Sequence, residues 1–297
     1  MTEETVRTSR VPAIVRALRP KQWLKNALVF AAPLAAGPPF TWHIVRGTLF
    51  ALTAFILVSS SIYLINDVRD AEADRLHPQK RLRPVASGEL KPGIAISLAA
   101  ILGAAGLVVA AIGHPMLLVT LAVYSVLQVG YVLGWKHVPL IDIAIVAMGF
   151  LLRAVAGGVA SDIPLSQWFL LVAGFGSLFM VSGKRYSEIV ELGAGAGTRR
   201  SLTMYTVSYL RSIWTICAAV VIVAYGLWAF DLRANRPFGI AWTAISIAPF
   251  TLAILRYAMR IDAGEAGAPE EVVIHDRMLQ ALGLLWVVTL SVALFLH

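Results

Sequence analysis

Residues 45–74 read VRGTLFALTAFILVSSSIYLINDVRDAEAD, and the change of character inside that stretch decides the fold. From Val45 to Ile65 the only charged residue is Arg46. A helix of about 20 such residues, rising 1.5 Å at each, crosses a hydrocarbon layer roughly 30 Å thick. Beyond it come Asn66, Asp67, Asp70, Glu72 and Asp74 in close succession. An apolar span therefore runs directly into an acidic row at a membrane boundary.

Working outward, the same apolar signal recurs along the chain. Its 297 residues have a mean hydropathy of +0.76, with 58% hydrophobic and 14% charged; a water-soluble domain carries roughly 25% charged residues. Runs over 23–37, 45–67, 93–112, 115–134, 139–160, 165–183, 206–230, 239–259 and 277–296 predict an all-α bundle of about nine transmembrane helices. Turn-forming residues fall between them, as at Gly37-Pro38-Pro39, Gly113-His114-Pro115 and Asp162-Ile163-Pro164. The expectation is a single transmembrane domain over 1–297, preceded by a basic N-terminal segment, 1–22. No short apolar core with a cleavage site precedes the first run, so no signal peptide is expected. Cys217 is the single cysteine, which excludes an intramolecular disulfide, and its place in an apolar run points to packing.

Charge sets the orientation. With the N-terminus in the cytoplasm, 21 of the 25 Lys and Arg fall on the cytoplasmic side, against Arg46, Arg233 and Arg236 outside and Arg153 within a span. That asymmetry follows the positive-inside rule and predicts a multi-pass plasma-membrane protein with its active site facing the cytoplasm. The long loops, 68–92, 184–205 and 260–276, are on that same side. The net charge of +8 is what cytoplasmic loops against anionic membrane lipids produce, and nucleic-acid binding is not expected.

The acidic row has a chemistry of its own. On a helix 66, 70 and 74 advance in fours, and 67, 70 and 74 in a three and a four. Both sets share a face, with neighbouring Cβ atoms about 5–6 Å apart. Carboxylates so placed repel one another unless a cation lies among them, and their oxygens suit Mg²⁺, which takes one or two carboxylates together with substrate phosphates. Asn66, Asp67, Asp70 and Asp74 are thus the candidate metal ligands, Asp70 and Asp74 the candidate catalytic pair. The plainer reading is a solvated helix end with Arg69 and Arg75 as local partners, but ionisable groups at the membrane are functional by default.

Dense cations surround the row. Lys80, Arg81 and Arg83 follow it, and guanidinium forks match diphosphate oxygens. Gly183-Lys184-Arg185-Tyr186-Ser187-Glu188 ends the sixth span, where a surface Lys184–Glu188 pair is the ordinary alternative. Arg19-Pro20-Lys21-Gln22-Trp23-Leu24-Lys25-Asn26 and Tyr131 with Lys136-His137 reach the same side. Asp142 and Arg153 share a helix face inside a span and need a cavity or a partner; substrate binding and helix locking both remain open for them. A transporter would carry ionisable groups near the midplane and on both sides, whereas here they crowd one face. A purely structural protein explains neither the acidic row nor its basic surroundings.

The run Asn66-Asp67-x-x-Asp70-x-x-x-Asp74, followed by Arg83-Pro84 and Ser87-Gly88, resembles the first signature of the UbiA superfamily of membrane transferases. The likeness extends over nearly the whole chain. Where prenyl-transferring members carry a second aspartate-rich motif, this chain has Gly183 to Glu188, with two cations and one acid. With Arg19 to Asn26 and Gly130 to Pro139, that departure is similar to the decaprenyl-phosphate phosphoribosyltransferase branch.

The resemblance implies phosphoribosyl diphosphate as donor, decaprenyl phosphate as acceptor and Mg²⁺ as cofactor, for arabinan cell-wall synthesis. It implies that Lys80, Arg83 and Lys184, the last counted as catalytic, neutralise the departing diphosphate. Lys25, Asn26, Tyr131, Lys136, Arg185, Tyr186 and Glu188 would then bind the remaining substrate groups. The alternative is a UbiA-type prenyltransferase with a prenyl diphosphate donor and an aromatic or other acceptor. Membrane lipids are expected partners. Gly157-Gly158 and Gly174-x-Gly176 allow close helix packing within a chain or in a homo-oligomer.

Overall fold

The fold is that of a computed structural model describing residues 11–192, 204–234 and 241–295. Arg7, Arg10, Arg199, Arg200 and Arg236 of the charge pattern lie outside those residues. Among the described residues every regular element is helical. In chain order they are α1 (Ala13–Ala17), α2 (Pro20–Trp23), a 3₁₀ segment (Leu24–Phe30), α3 (Ala31–Ala36), α4 (Trp42–Arg69), α5 (Ala71–Arg75), α6 (Pro92–Gly113) and α7 (Pro115–Leu133). The chain continues with α8 (Ile141–Val159), α9 (Gln167–Leu192), α10 (Val207–Ala234), α11 (Trp242–Asp262), α12 (Pro269–His275) and α13 (Arg277–Phe295).

Seven helices among the described residues are long and apolar enough to cross a membrane: α4, α6, α7, α8, α10, α11 and α13. The expected run 165–183 falls within α9 except for its first two residues, and α9 extends further, to Leu192. The expected first run, 23–37, is broken into α2, the 3₁₀ segment and α3. Its irregularity has a local cause. The segment lies so close to α8 that a Cβ on Gly157 would overlap the Val29 carbonyl oxygen, and Asn26 turns inward, fully buried, to bond with Ser59.

α4 packs along α6 and α7, α9 along α8 and α10, and α11 against α10 and α13. One core joins Phe55, Leu117, Leu121 and Tyr124 between α4, α7 and α8; another joins Phe179, Tyr186, Trp214 and Tyr257 between α9, α10 and α11. Large apolar side chains such as Ile101, Ile112, Val126, Ile216 and Leu284 face outward. Such exposure on helices of this length is what lipid, rather than water, accommodates.

The bundle has a charged end. Lys136, in the turn between α7 and α8, donates to both oxygens of Asp70, at 2.8 and 3.0 Å, which sets that turn beside the end of α4. The opposite end holds smaller polar groups, among them Asp162 with His43 at 2.9 Å and His114 at 3.2 Å.

Candidate active site

α4 ends where its apolar residues end. The backbone breaks at Asp70 (φ −89°, ψ 3°) and resumes as α5, while Asp70 N–H still donates to Asn66 O at 2.9 Å and Asp74 N–H to Asp70 O at 2.8 Å. The row therefore stays roughly helical across the break, and its carboxylates are divided among separate cations. Asp67 and Asp74 share Arg83, whose Nη1 donates to Asp67 Oδ1 at 3.3 Å and to Asp74 Oδ2 at 2.6 Å. Asp67 also pairs with Arg19. Asp70 is held by Lys136. Asp67 and Asp74 are buried, and Asp70 is partly open.

Among the described residues no three His, Cys, Asp or Glu side chains gather as a metal-binding group. The donor chemistry nevertheless fits Mg²⁺. The donors are hard oxygens, Asp67 and Asp74 are drawn to a single guanidinium nitrogen, and Mg²⁺ needs only one or two carboxylates when substrate phosphates complete its shell. Arg83 and Lys136 occupy the positions a cation takes among these acids. The local partners expected for the row lie elsewhere: Arg69 donates to Leu133 O and Arg75 to Ala86 O.

Arg19, which the sequence marks only as part of a basic run, joins the acidic row directly. Its backbone is left-handed (φ 54°, ψ 61°) immediately before Pro20, which starts α2, a conformation costing on the order of 1–2 kcal/mol for a residue with a Cβ. Its guanidinium lies over the Tyr63 ring, 5.0 Å from the centroid, while pairing with Asp67. Strain of this kind gathers where side-chain placement matters. The Arg-Pro dipeptide was its signal.

In the second motif the ordinary alternative, a Lys184–Glu188 pair, does not form: Glu188 pairs with Arg185, at 2.7 Å. Arg185 is buried, and its Nε is 3.6 Å from Asp142 Oδ2. Tyr205 donates to Asp142 Oδ1 at 2.6 Å and accepts from the Leu140 N–H at 2.5 Å. Burial, and then the bond to Asp142, raise the Tyr205 phenol above its usual range, so it is the donor at neutral pH. Tyr186 sits in the core, donating to Asp262 at 3.2 Å and accepting from Arg211 at 2.7 Å. Ser187 accepts from the Ala266 N–H.

Lys184 alone of the two cations is partly exposed, and it makes no hydrogen bond or ion pair among the described residues. Lys25, also open, lies within electrostatic reach of Lys184 and Glu270. Asn26, by contrast, is withdrawn from the site and accepts from Arg153 Nε at 2.8 Å. Lys80 and Tyr131 are partly exposed on the site's rim. An apolar groove of about 510 Å³ lies beside Lys136, lined by Leu127, Trp135, Val138, Ile141 and Met148 among others.

Among the described residues, a helical bundle with seven helices able to cross a membrane gathers carboxylates and cations at one end, an arrangement consistent with a membrane transferase acting on phosphorylated substrates. The model of the UbiA prenyltransferase family matches residues 27–278. The chain is 51% identical over 288 residues to the decaprenyl-phosphate phosphoribosyltransferase of Corynebacterium glutamicum, covering 95% of this chain and 87% of that one. It is 49% identical to the Mycolicibacterium smegmatis protein of the same name, over 99% of this chain and 98% of that one. For the Mycobacterium tuberculosis protein of that name the identity is 46%, with 95% and 94% covered. Among solved structures, a UbiA homolog from Archaeoglobus fulgidus bound to GPP and Mg²⁺ has the same fold, with a TM-score of 0.71, 18% identity, and 95% of this chain and 98% of that one covered. The chain belongs to the UbiA prenyltransferase family.

Proposed function

We propose that the protein transfers the 5-phosphoribosyl group from phosphoribosyl diphosphate to decaprenyl phosphate. Diphosphate leaves, and the product, decaprenylphosphoryl-5-phosphoribose, supplies arabinan synthesis. The observation that carries this reading is the charge of the second motif. Its one partly exposed cation, Lys184, makes no ion pair among the described residues and lies within electrostatic reach of Lys25. Phosphoribosyl diphosphate brings a 5-phosphate in addition to its diphosphate, and the acceptor brings another phosphate. A cation at this position is the change those extra anions require.

In the reaction an oxygen of the acceptor phosphate attacks C1 of the ribose as the C1–O bond to diphosphate breaks, and diphosphate departs with the electron pair. The acceptor needs no strong general base, because a phosphate monoester is already an anion near neutral pH. Asp67, Asp70 and Asp74, with Asn66 beside them, would hold Mg²⁺, which supplies charge neutralisation on the donor diphosphate. Arg83, Lys80 and Lys184 neutralise charge building on the leaving group, and Lys136 keeps Asp70 oriented. Lys25 and Tyr131 remain as binders of the 5-phosphate, ribose or acceptor phosphate. Catalysis is then positioning and preorganised electrostatics, with inversion at C1 as the outcome of one displacement.

The groove beside Lys136 offers an apolar wall for the isoprenoid tail. In this reading one transmembrane domain spans 1–297, segment 1–22 is cytoplasmic, and the charged end faces the cytoplasm of a plasma membrane.

Mass analysis of lipid extracts tests the proposal. Purified protein given both substrates and Mg²⁺ is expected to form a lipid heavier by one phosphoribosyl unit, and chelator is expected to abolish it. Absence of that product with folded protein and both substrates present would overturn the assignment.

A further inference from the structure

Arg153 stands in α8, twelve residues beyond Ile141, about 18 Å along the helix from the charged end. Its side chain is buried. Nε donates to Asn26 Oδ1 at 2.8 Å, Nη1 to Gly149 O at 2.7 Å and Nη2 to the Tyr124 hydroxyl at 2.8 Å. The rings of Phe55, Tyr124 and Phe150 lie 5.7, 4.8 and 5.9 Å from its Cζ. Every one of these partners is neutral. Among the described residues no carboxylate lies within ion-pair distance, and Asp142 on the same helix is engaged by Tyr205 and Arg185.

A guanidinium kept in a low-dielectric interior without a counter-charge is costly. Joining α8 to the 3₁₀ segment needs only a neutral donor, so the charge itself calls for an explanation. One face of α4 supplies it. Phe55, Ser59, Tyr63 and Asp67 succeed one another at steps of four, a spacing that stacks them on one side of a helix. Phe55 lies at Arg153, Ser59 accepts from Asn26 at 3.3 Å, Tyr63 lies under Arg19, and Asp67 pairs with Arg19 and Arg83. A polar column thus runs from the buried charge up to the acidic row, and a low-dielectric wall on either side carries the field along it.

We propose that Arg153 is a positioning residue whose uncompensated buried charge strengthens the hold of the site above it on a diphosphate group. It touches neither substrate nor reacting atoms. It acts through the potential it sets beneath the acidic row, and its bond to Asn26 keeps the segment bearing Lys25 in place. The inference rests on the phosphate-handling reading of the site.

Asn26→Asp tests it, because Asn26 is fully buried against Arg153 and Ser59. The substitution keeps the acceptor for Arg153 while cancelling its charge. With inorganic diphosphate and Mg²⁺ as the probe, Asn26→Asp is expected to weaken the dissociation constant about fivefold, the effect of one charge roughly 16 Å away at an effective dielectric near 20. Its thermal midpoint should be unchanged or higher. Arg153→Lys keeps the charge with fewer donors and should bind diphosphate within about twofold of wild type. A folded Asn26→Asp protein with wild-type affinity would overturn the proposal. So would Arg153→Lys weakening binding about fivefold, an arm that decides the matter if Asn26→Asp does not fold. Because binding is read without turnover, failure of the transfer reaction in the wild type would count against the function and leave this test intact.

Discussion

Two helices end in motifs of opposite sign at the charged end, and the structure treats them differently. At the end of α4 Asp67, Asp70 and Asp74 are each met by a cation from elsewhere in the chain: Arg19, Arg83 and Lys136. At the end of α9 the polar groups are mostly consumed by the scaffold. Arg185 is tied to Glu188 and Asp142, Tyr186 to Arg211 and Asp262, and Ser187 to the backbone at Ala266. Lys184, partly exposed and without an ion pair among the described residues, is the residue of that motif proposed to meet a substrate. A motif recognised as a string is therefore not alike in all its letters: the aspartates of the first are paired with cations brought from other segments, and most polar groups of the second are bonded within the scaffold.

Substitutions break or sharpen this contrast. The largest effect belongs to the row. Asp70→Asn and Asp74→Asn should each lower kcat by roughly 10²–10³, the scale of losing a preorganised electrostatic group, and raising Mg²⁺ should not restore it. Near-normal turnover in Asp70→Asn at saturating Mg²⁺ would remove that residue from the metal site. Lys184→Met comes next. Losing a charge-assisted contact worth about 1.5–3 kcal/mol should cost roughly 10–100-fold in kcat/KM, with the thermal midpoint unchanged. A stability loss without a kinetic one would make Lys184 scaffold as well.

Tyr186→Phe should do the reverse. It removes one hydroxyl bonded to both Arg211 and Asp262, so a loss of about 1 kcal/mol in stability is expected, with kcat within about twofold of wild type. A collapse of kcat in a stable Tyr186→Phe protein would return Tyr186 to the substrate.

The smallest effect tests the far side of the same end. Asp276, at the start of α13, accepts from Arg256 and Arg260 at 2.9 and 2.7 Å. The Leu279 N–H bond and these two guanidinia hold its carboxyl down at about 2, against an unfolded value of about 3.9. A depressed carboxylate contributes stability that is complete above its unfolded pKa and is lost as pH falls through the folded one. The window is therefore about pH 4 down to 2, and Asp276→Asn should flatten the acid limb of the stability profile there.

Much of this was legible in the sequence, for physical reasons. Apolar length and the sudden acids after Ile65 announce a span and its polar end, because burial in lipid and the repulsion of like charges leave few alternatives. The sharing of Arg83 by Asp67 and Asp74 was close to legible, since Arg83 follows nearby. What could not be read is contact between distant segments. Tyr205 on Asp142 joins positions 63 apart in sequence, and nothing in either neighbourhood marks the pair. Asn26 and Lys25 read alike beside one another, yet the 3₁₀ turn sends one inward to Arg153 and leaves the other open. The broken first run was only partly legible: Pro33 denies the Val29 carbonyl a helical donor, but the approach of α8 over Gly157 is a contact between distant segments.

If the basic second motif selects the donor, as proposed, a comparison of donors tests it most directly. Purified protein with Mg²⁺ and decaprenyl phosphate is offered labelled phosphoribosyl diphosphate and, in parallel with an aromatic acceptor, a labelled prenyl diphosphate. Label is expected in the lipid phase only from phosphoribosyl diphosphate, and chelator is expected to abolish it. Prenyl transfer with no phosphoribosyl product would contradict it.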